Sequence, residues 1–460
     1  MSDQGLALAR QKMSDAQVAQ QAIDVFSHYY RQLEEGVTGF IAEDSIEPLT
    51  DPDLLADVEV SDADASAALA KTVIIKLNGG LGTSMGMDKA KSLLPVRDGK
   101  SFLDIIVDQV LSARATHDAR LPLIFMNSFR TQDDTLAALA PYADLEVDGL
   151  GLDFLQNSEP KLRADDLTPV EWPADPSMEW CPPGHGDLYT ALMASGVLDK
   201  LLAAGYRYAS VSNSDNLGAA PNARIAGWFA ASGAPYAAEI CRRTAADRKG
   251  GHLAIRKADR QLILRDTAQT SAEEMHYFTD EFRHPYFHTN NLWFDLEVLS
   301  RTLTARNAVL GLPLIKNEKT VDPADSASPE VIQIESAMGA AIEVFEGATA
   351  IGVGRERFLP VKTTNDLLLL QSDVYEVGSD GLLSRVADPA PLIDLDTAFY
   401  KTIGKFSARF PAGAPSLKDA SGLSVKGDWT FESGVRVVGA GSLADPGEPG
   451  TVTSGTLIEG

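Results

Sequence analysis

Residues 1 to about 40 carry apolar side chains at helical spacing, interleaved with Gln and Asp. The apolar positions that form this pattern are Val18, Ala22, Val25, Phe26 and Tyr29. Spacings of three or four residues put such side chains on one face of a helix, so the pattern predicts one or two amphipathic helices. Residues 47–66 are rich in Pro, Asp and Ser, which predicts a connection.

The central part of the chain alternates between short apolar or β-branched runs and helical patterns. The predicted strands span residues 72–77, 121–126 and 206–211. The predicted helices span residues 102–113, 131–140 and 223–231. This alternation indicates an α/β domain with a largely parallel sheet. Ligands of such sheets bind beyond the carboxyl ends of the strands, so the segments after Leu77 and Val211 are the first candidates for a site.

From about Tyr375 onward, Gly, Pro and Ser become frequent and separate short apolar runs. These runs span residues 423–425, 435–438 and 451–457. Such spacing predicts a small β domain, although its irregularity does not establish a β-helix. The expected organisation is an N-terminal helical segment (1–66), an α/β domain (67–372) and a C-terminal β domain (373–460).

The charge of the chain narrows the classes of partner. Its 460 residues include 40 Lys and Arg against 65 Asp and Glu, a formal net charge of −25. This excess repels phosphate backbones and anionic membranes, so we expect neither nucleic acid nor a membrane as partner. Hydrophobic and charged fractions of 44% and 23% exclude global disorder. This net charge does not exclude a small anionic substrate, provided that cationic side chains are concentrated around one pocket.

Cysteine content and the N-terminus bear on the compartment. Cys181 and Cys241 are the only cysteines, too few for a disulfide scaffold or a four-cysteine zinc site. The N-terminus has no basic region followed by an apolar run, and no stretch approaches the ~18–20 apolar residues of a membrane span. We therefore expect a cytoplasmic protein.

A glycine-rich loop follows the first predicted strand. Its sequence is Leu77-Asn78-Gly79-Gly80-Leu81-Gly82-Thr83-Ser84-Met85-Gly86, with Lys89 and Lys91 shortly after. Glycines let the backbone approach a ligand, exposed N–H groups cradle phosphates, and a lysine neutralises their charge. The loop is not a Walker A loop, because Gly-Lys-Ser/Thr is absent, nor a dinucleotide fingerprint, because Met85 replaces the third glycine. A tight turn without a ligand is the alternative.

Several segments in one order resemble the eukaryotic-type UTP–glucose-1-phosphate uridylyltransferases, also called UDP-glucose pyrophosphorylases. The resemblance runs from about residue 70 to 370 and begins with the loop 77–91. The other segments are Met126-Asn127-Ser128-Phe129, Asp133-Asp134-Thr135, Pro182-Pro183-Gly184-His185-Gly186-Asp187, Asn213-Ser214-Asp215-Asn216-Leu217-Gly218-Ala219, Ala246-Asp247-Arg248-Lys249-Gly250-Gly251, Thr289-Asn290-Asn291-Leu292-Trp293, Leu312-Pro313-Leu314-Ile315 and Arg357-Phe358-Leu359-Pro360-Val361-Lys362-Thr363-Thr364. The resemblance implies a Rossmann-like, GT-A-like nucleotidyltransferase domain over 67–372. It also implies a mixed, mostly parallel sheet with flanking helices, and a small C-terminal β-helix-like domain.

The reaction implied by the resemblance is attack by the phosphate of glucose 1-phosphate on the α-phosphorus of UTP, with pyrophosphate leaving. A phosphate is already a nucleophile, so positioning, charge neutralisation and Mg²⁺ should carry the catalysis. The implied catalytic residues are Lys91 and Lys362, and the implied metal ligand is Asp215. The implied nucleotide-binding residues are Leu77, Gly79, Gly80, Gln156 and Gly186. The implied sugar- or phosphate-binding residues are His185, Asn213, Asp266 and Asn290.

Some of these residues have an ordinary structural alternative. Asp215 is also suited to cap the following helix, and His185 to be a hydrogen-bonded structural histidine. Lys249 and Arg357 are either phosphate contacts or members of structural ion pairs, whereas Lys89 is expected on a solvated face. If the acidic chain binds phosphates, a local cluster of cations with Mg²⁺ is needed, for which the candidates are Lys91, Lys249, Arg357 and Lys362.

The sequence departs from the family pattern at two positions in the sugar region. His288 stands where the family usually has Asn, and Asp266 where it usually has Glu. A pyrophosphorylase for another or for several hexose 1-phosphates therefore stays open. A catalytically silent nucleotide-sugar sensor or assembly protein is the alternative of a different class. Self-association through the C-terminal domain is a further expectation from the family.

Overall fold

The computed structural model describes residues 2–37, 39–244 and 247–460. Over these residues the α-helices are α1 (Ser2–Asp15), α2 (Gln20–Glu34), α3 (Asp62–Leu69), α4 (Phe102–His117), α5 (Gln132–Leu139), α6 (Leu188–Ala194), α7 (Val197–Ala203), α8 (Ala223–Ser232), α9 (Met275–Phe278), α10 (Leu296–Ala305), α11 (Thr364–Gln371), α12 (Thr397–Tyr400) and α13 (Ile403–Arg409).

The strands of the α/β part are β1 (Ile46–Pro48), β2 (Asp53–Leu54), β3 (Thr72–Asn78), β4 (Pro95–Arg97), β5 (Lys100–Ser101), β6 (Leu123–Asn127), β7 (Asp153–Leu155), β8 (Glu159–Pro160), β9 (Leu162–Arg163), β10 (Trp180–Cys181), β11 (Tyr208–Asn213), β12 (Tyr236–Arg242), β13 (His252–Arg256), β14 (Leu262–Arg265), β15 (Tyr286–Asp295), β16 (Ile315–Thr320), β17 (Glu330–Glu335) and β18 (Thr349–Val353). The strands that follow are β19 (Tyr375–Val377), β20 (Leu383–Arg385), β21 (Leu392–Leu395), β22 (Ser416–Val425), β23 (Trp429–Phe431), β24 (Arg436–Leu443), β25 (Gly450–Val452) and β26 (Leu457–Glu459).

The largest sheet is mostly parallel along its main path. Its strand order is β7-β6-β3-β11-β15-β12-β18-β2. Strand β15 runs antiparallel to both of its neighbours, β11 and β12, and the other neighbours on this path run parallel. Strands β13, β14 and β1 extend the sheet from β15 through antiparallel pairs. The predicted α/β class with a mixed, mostly parallel central sheet is confirmed.

The central strand β3 is buried on both faces, as its apolar and β-branched sequence predicts. Ile74 belongs to the same hydrophobic cluster as Phe102 and Ile106 of α4. On the opposite face, Ile75 belongs to a second cluster with Leu188 of α6. Because successive side chains of a strand point to opposite faces, β3 supplies both layers of the core. The ends of the strands are then left as the edge where a ligand can enter.

The order of the strands reverses between β3 and β11. From β3 the chain proceeds outward to β6 and β7 and then returns to the other side of β3 as β11. Leu77 near the end of β3 pairs with Asn213 at the end of β11. Open α/β sheets bind ligands in the crevice at such a reversal. The two polar segments that the sequence indicated as candidate sites therefore meet at one place.

The predicted connection over residues 47–66 is wrong in part, because it contains β2, most of β1 and the start of α3. Ser61 caps α3 by accepting a hydrogen bond from the Asp64 N–H at 3.1 Å. Helix α3 packs against α8, where Gly227 allows close approach to Ala65. Helix α3 is rich in alanine, so its sequence shows little apolar periodicity, and the sequence pattern missed it.

The C-terminal segment consists largely of short parallel strands. Strands β21, β22, β24 and β26 form one parallel sheet, and β23 pairs with β25 in a second. The predicted run 451–457 is divided between β25 and β26 by a turn in which the Thr456 N–H donates to the Thr453 carbonyl. Helices α12 and α13 were not predicted.

The C-terminal segment packs on the α/β part through apolar side chains. Leu395 and Phe406 belong to the same hydrophobic cluster as Leu368 of α11. Because this cluster is continuous, the C-terminal segment contributes side chains to the same hydrophobic core as one face of the central sheet. Within the described ranges, no helix is long and apolar enough to cross a bilayer.

Candidate functional site

Two cavities open at the carboxyl ends of β3 and β11. The first, the β3 cavity, has a volume of about 310 Å³ and is lined by the glycine-rich loop after β3. The second, the β15 cavity, has a volume of about 350 Å³ and is lined by residues 287–290 of β15. Asn213 and Asp215 line both cavities. A ligand that occupies both cavities therefore passes these two side chains.

The β3 cavity brings together four of the predicted nucleotide residues: Leu77, Gly79, Gly80 and Gln156. The Gln156 side chain donates from Nε2 to the Gly184 carbonyl at 2.6 Å, and its backbone N–H donates to the Asn127 carbonyl at 2.7 Å. A Cβ atom on Gly79 would lie 3.0 Å from Gln156 Oε1. The glycine thus permits a fixed carboxamide in the cavity wall.

The glycine-rich loop turns back so that Lys91 reaches the β3 cavity. Gly82 and Gly86 have φ angles of +65° and +72°, a left-handed conformation that glycine adopts without strain. The Lys91 N–H then donates to the Gly80 carbonyl at 3.0 Å. Lys89 is exposed and is not part of the cavity lining, which agrees with the expected solvated face.

His185 lines the β3 cavity in its neutral form. Burial lowers the pKa of His185 below its usual value. Its Nδ1 atom accepts a hydrogen bond from the Met338 N–H at 3.0 Å, so the proton of the neutral ring is on Nε2. The structural alternative and the predicted ligand role are thus compatible, since one ring nitrogen is used internally and the other remains a donor.

Gly186 differs from the other predicted nucleotide residues. It is buried and is not among the described residues that line the β3 cavity. Its N–H donates to the Ser336 carbonyl at 2.8 Å, and a Cβ atom there would lie 2.3 Å from Ser336 Oγ. The Gly186 N–H is therefore occupied by Ser336, and the structure does not bring Gly186 together with the other four predicted nucleotide residues in the cavity lining.

Asp215 forms an ion pair with Lys91 on the wall shared by the two cavities. The distance between Lys91 Nζ and Asp215 Oδ2 is 2.6 Å. The alternative that Asp215 caps the following helix is wrong, because Asn222 caps α8 by accepting from the Ile225 N–H at 3.0 Å. The Asp215 carboxylate does not cap a helix, and it lines both cavities.

Asp215 is a residue that lines both cavities and could hold a divalent metal ion, with a bound ligand completing the coordination. In the part of the chain that the structure describes, no three His, Cys, Asp or Glu side chains are arranged to hold a metal. Mg²⁺ commonly takes one or two protein carboxylates and fills its other positions with phosphate oxygens and waters. A single carboxylate beside two open cavities is suited to that mode of binding.

The β15 cavity contains Asp266, Asn290, Lys249 and Lys362. Lys249 and Lys362 are exposed, so they present positive charge at the cavity mouth without a desolvation cost. Asp266 Oδ1 accepts from the Thr267 N–H at 2.6 Å, which fixes its carboxylate on the wall. Of the motif 246–251, Ala246 lies outside the described residues.

Arg357 does not join this group of cations, so the predicted convergence of four cations is wrong for this residue. Arg357 is buried with 6% of its surface exposed, and Glu239 is completely buried. Arg357 Nη2 and Nε bind the two Glu239 oxygens at 2.7 and 3.0 Å. Although burial raises it, this guanidinium holds the pKa of Glu239 below its usual range. Arg357 is a member of a structural ion pair.

Asn216 joins the loop of Asp215 to the loop of Lys362. Its Oδ1 accepts from the Leu359 N–H at 2.8 Å, and its Nδ2 donates to the Arg357 carbonyl at 3.1 Å. The Val361 N–H donates to the Asp215 carbonyl at 3.2 Å. These bonds fix the segment that carries Lys362 against the end of β11.

Sequence reasoning missed Asn216 and Glu239 as residues that hold the site together. Asn216 lies within the quoted motif 213–219, where only its neighbours were given roles. Glu239 is a lone acidic residue in the otherwise apolar run of β12, and such a residue signals a buried partner. The partner itself was beyond reach, since Arg357 is 118 positions later in the chain.

The family model described as UTP–glucose-1-phosphate uridylyltransferase matches residues 23–437. The chain belongs to this family. The resemblance inferred from the separate motifs is therefore confirmed, and the match also covers most of the C-terminal segment.

Named relatives of this family cover most of the chain. A UTP–glucose-1-phosphate uridylyltransferase from Solanum tuberosum is 40% identical over 399 residues, 85% of this chain and 80% of the relative. One from Saccharomyces cerevisiae is 40% identical over 363 residues, 78% of this chain and 71% of the relative. A UDP-glucose pyrophosphorylase variant from Leishmania major, in complex with UDP-glucose, has a TM-score of 0.91 and 39% identity, covering 99% of this chain and 98% of that one.

Proposed function

We propose that this protein transfers a uridylyl group from UTP to glucose 1-phosphate, forming UDP-glucose and releasing pyrophosphate. The observation that carries the proposal is the pair of cavities that share Asn213 and Asp215, with Lys91 in one and Lys362 in the other. Such an arrangement suits a reaction that joins two phosphorylated substrates. The named family and the relative in complex with UDP-glucose support the choice of substrates.

In the proposed reaction, a phosphate oxygen of glucose 1-phosphate forms a bond to the α-phosphorus of UTP. The bond from this phosphorus to the bridging oxygen breaks, and pyrophosphate leaves with the electron pair. The nucleophile needs no deprotonation, and catalysis depends on in-line positioning and on neutralising charge. No covalent intermediate on the protein is required.

The nucleotide would bind in the β3 cavity. Gln156 offers a fixed carboxamide for the edge of the base, and Leu77, Gly79 and Gly80 let the ring approach the backbone. Gly186 would keep the backbone next to His185 in place, because its N–H donates to the Ser336 carbonyl. Lys91 follows the loop and would contact the phosphates that leave as pyrophosphate.

Glucose 1-phosphate would bind in the β15 cavity. Asn213, Asp266 and Asn290 supply polar groups for sugar hydroxyls, and Lys362 supplies the cation for the attacking phosphate. His185 would donate from Nε2 to a phosphate oxygen near the shared wall. Lys249 is a further phosphate contact at the mouth of this cavity. Opposed lysines draw the two reacting phosphates together, an electrostatic effect that grows as water is excluded.

Asp215 would hold Mg²⁺, which supplies Lewis-acid neutralisation of the phosphate oxygens when it is bound. The Asp215 carboxylate is paired with Lys91 at 2.6 Å in this structure. Binding of the metal and the triphosphate would exchange this contact for phosphate contacts of Lys91. The same two side chains thus keep each other oriented before substrate binds.

We further propose that the C-terminal segment is a β-helix and that the chain divides at residue 372, whereas the expected division at residue 66 is wrong because it would cut α3. Parallel pairing of β22, β24 and β26 supports the β-helix. The outer strands of this sheet, β21 and β26, expose Leu392 and Leu457, which is compatible with self-association at a sheet edge. Light scattering on the protein and on Leu392→Lys tests the self-association. We expect a dimer or larger species that the variant loses, and a monomer in both samples would exclude self-association.

The activity is tested by pyrophosphate release from UTP, glucose 1-phosphate and Mg²⁺. We expect turnover by the protein, and loss of at least about 100-fold in kcat for Lys91→Ala and Lys362→Ala, because each removes a charge at the reacting phosphates. Lys89→Ala is the matched control, since Lys89 is exposed outside the cavity. Binding of UDP-glucose without pyrophosphate release would favour the silent sensor instead. Galactose 1-phosphate and N-acetylglucosamine 1-phosphate in the same assay measure the strictness for glucose.

A further inference from the structure

His288 lines the β15 cavity, yet the proposed reaction gives it no role. It has 7% of its surface exposed, and burial lowers its pKa to about 4, so the ring is neutral at physiological pH. The backbone N–H of His288 donates to the Gly251 carbonyl at 2.8 Å, which anchors this part of β15 to the residue that precedes β13. The backbone from which the His288 side chain extends is therefore fixed beside the cavity.

The pairing of β15 with β12 is interrupted directly after His288. Ile240 of β12 pairs with His288 and Ala238 pairs with Leu292, so one residue of β12 faces three residues of β15. This is a β-bulge, and Asn290 at its middle has a left-handed φ of +61°. Asn tolerates this conformation better than most residues, but an extra residue loses its ladder partner. The Asn290 N–H consequently needs another acceptor.

His288 provides that acceptor. The Asn290 N–H donates to His288 Nδ1 at 3.1 Å, and Asn290 Oδ1 also lies 3.1 Å from His288 Nδ1. Depending on the tautomer, Nδ1 accepts from the backbone or donates to the amide oxygen. In both tautomers the imidazole binds Asn290, so the bulge and its side chain are held toward the cavity.

The other edge of the ring cannot serve a ligand. His288 Nε2 is buried and finds no hydrogen-bond partner among the described residues. It lies against Gly339, where a Cβ atom would be 3.0 Å from Nε2 and 2.7 Å from Cε1. With Nδ1 engaged by Asn290 and Nε2 enclosed, the ring acts on a substrate through Asn290.

We infer that His288 is a positioning residue for sugar recognition: it holds the Asn290 bulge so that the Asn290 amide meets the hexose of glucose 1-phosphate. The inference rests on the proposed function, because it assigns the β15 cavity to the sugar. It concerns a position at which this chain differs from the Asn that is usual in the family. An Asn at the same position also reaches the N–H two residues later, as in an Asx turn.

The test separates the hydrogen bond from the packing of the ring. His288→Leu fills the space without an acceptor, whereas His288→Asn restores an acceptor in a smaller side chain. For His288→Leu we expect the KM for glucose 1-phosphate to rise about tenfold, the effect of losing one aligned hydrogen bond, and the KM for UTP to stay within about twofold. His288→Asn is expected to recover most of the glucose 1-phosphate KM. His117→Asn is the control, since His117 binds Ser66 far along the chain from either cavity.

Binding measurements give a second readout that does not require turnover. The ratio of UDP affinity to UDP-glucose affinity isolates the sugar contacts, and His288→Leu should reduce the advantage of UDP-glucose by about the same tenfold. Unchanged glucose 1-phosphate KM in His288→Leu, or equal losses for both substrates in the Leu and Asn variants, would overturn the inference. If His288→Leu does not fold, His288→Ala takes its place, and failure of both to fold would assign His288 to stability and overturn the inference too. Inactive wild-type protein would refute the proposed function itself, whereas active wild type with an unaffected Leu variant refutes the positioning role alone.

Discussion

The buried pair of Arg357 and Glu239 offers the sharpest test of how the site is held together. Replacing Arg357 with Met keeps an unbranched apolar chain but removes the guanidinium. The change deletes both bonds to Glu239, at 2.7 and 3.0 Å, and the bond from Nη1 to the Ala220 carbonyl at 2.6 Å. Glu239 would keep the Trp293 and Asn291 hydrogen bonds and would lose its only countercharge in the contacts that the structure describes.

The magnitude follows from burial. Removing one partner of a buried ion pair costs about 3–5 kcal/mol, because the remaining charge is neither solvated nor compensated. We therefore expect Arg357→Met to lower the free energy of unfolding by that amount. Glu239→Gln combined with Arg357→Met should cost less than Arg357→Met alone, because the second change removes the stranded carboxylate. The double-mutant cycle thus measures the coupling directly.

The assay is urea unfolding followed by tryptophan fluorescence, with Trp293 in direct contact with Glu239. Arg163→Met is the matched control, because Arg163 pairs with Asp165 at an exposed position where an ion pair contributes about 1 kcal/mol or less. Since the Arg357 carbonyl also accepts from Asn216, kcat should fall along with stability. A loss of under about 1 kcal/mol in Arg357→Met, or a double variant worse than the sum of the singles, would refute the reasoning.

Three further predictions follow from the site. Burial raises the pKa of Asp187 from 3.8 to about 7, so the protonated carboxyl favours the folded state. The stability gained from this protonation is fully present below about pH 4 and is lost as the pH rises through about 7. Asp187→Asn removes this titration, so the free energy of unfolding of wild type should fall by about 2–3 kcal/mol relative to that of the variant as the pH is raised from 5 to 8 in urea unfolding. Free energies that change in parallel with pH in the two proteins would contradict the shifted pKa. Gly82→Ala, at φ +65°, should cost about 1–2 kcal/mol and raise the KM for UTP, whereas Gly151→Ala, at a glycine outside both cavities where a Cβ atom meets nothing within 4 Å, should be mild; equal effects would argue against conformational strain. Chelation of divalent metal should stop pyrophosphate release and Mg²⁺ should restore it, and full activity with chelator present would exclude the metal role of Asp215.

Local sequence predicted the frame of the site. The β-branched run before Leu77, the glycines after it and the alternation of strands with helices follow from preferences that extend over a few residues. The motif order pointed to the correct family, now shown by the match over residues 23–437. Roles of single residues were harder to assign, because a residue type is compatible with several environments.

The buried charges illustrate this difference. Lys76 and Glu239 both interrupt apolar strands, and the sequence marks them as needing partners. Lys76 finds Ser212 Oγ and the Ala219 carbonyl, each at 2.8 Å, and burial lowers its pKa to about 7. Glu239 finds Arg357, which the sequence had offered as a phosphate contact or an ion-pair member with nothing to separate the two. Only the fold shows which positive groups face inward.

The sequence by itself determined the α/β class, the glycine-rich loop after the first strand, the family and the kind of chemistry, because backbone preferences, side-chain periodicity and motif order depend on residues close together in the chain. Tertiary structure decided that Arg357 pairs with Glu239 in the core, that the Gly186 N–H donates to Ser336, and that the bulge at Asn290 is hydrogen-bonded to His288. The first two depend on partners more than a hundred residues away in the chain. The third depends on how β12 and β15 pair, and a pairing register arises only when the whole sheet is assembled.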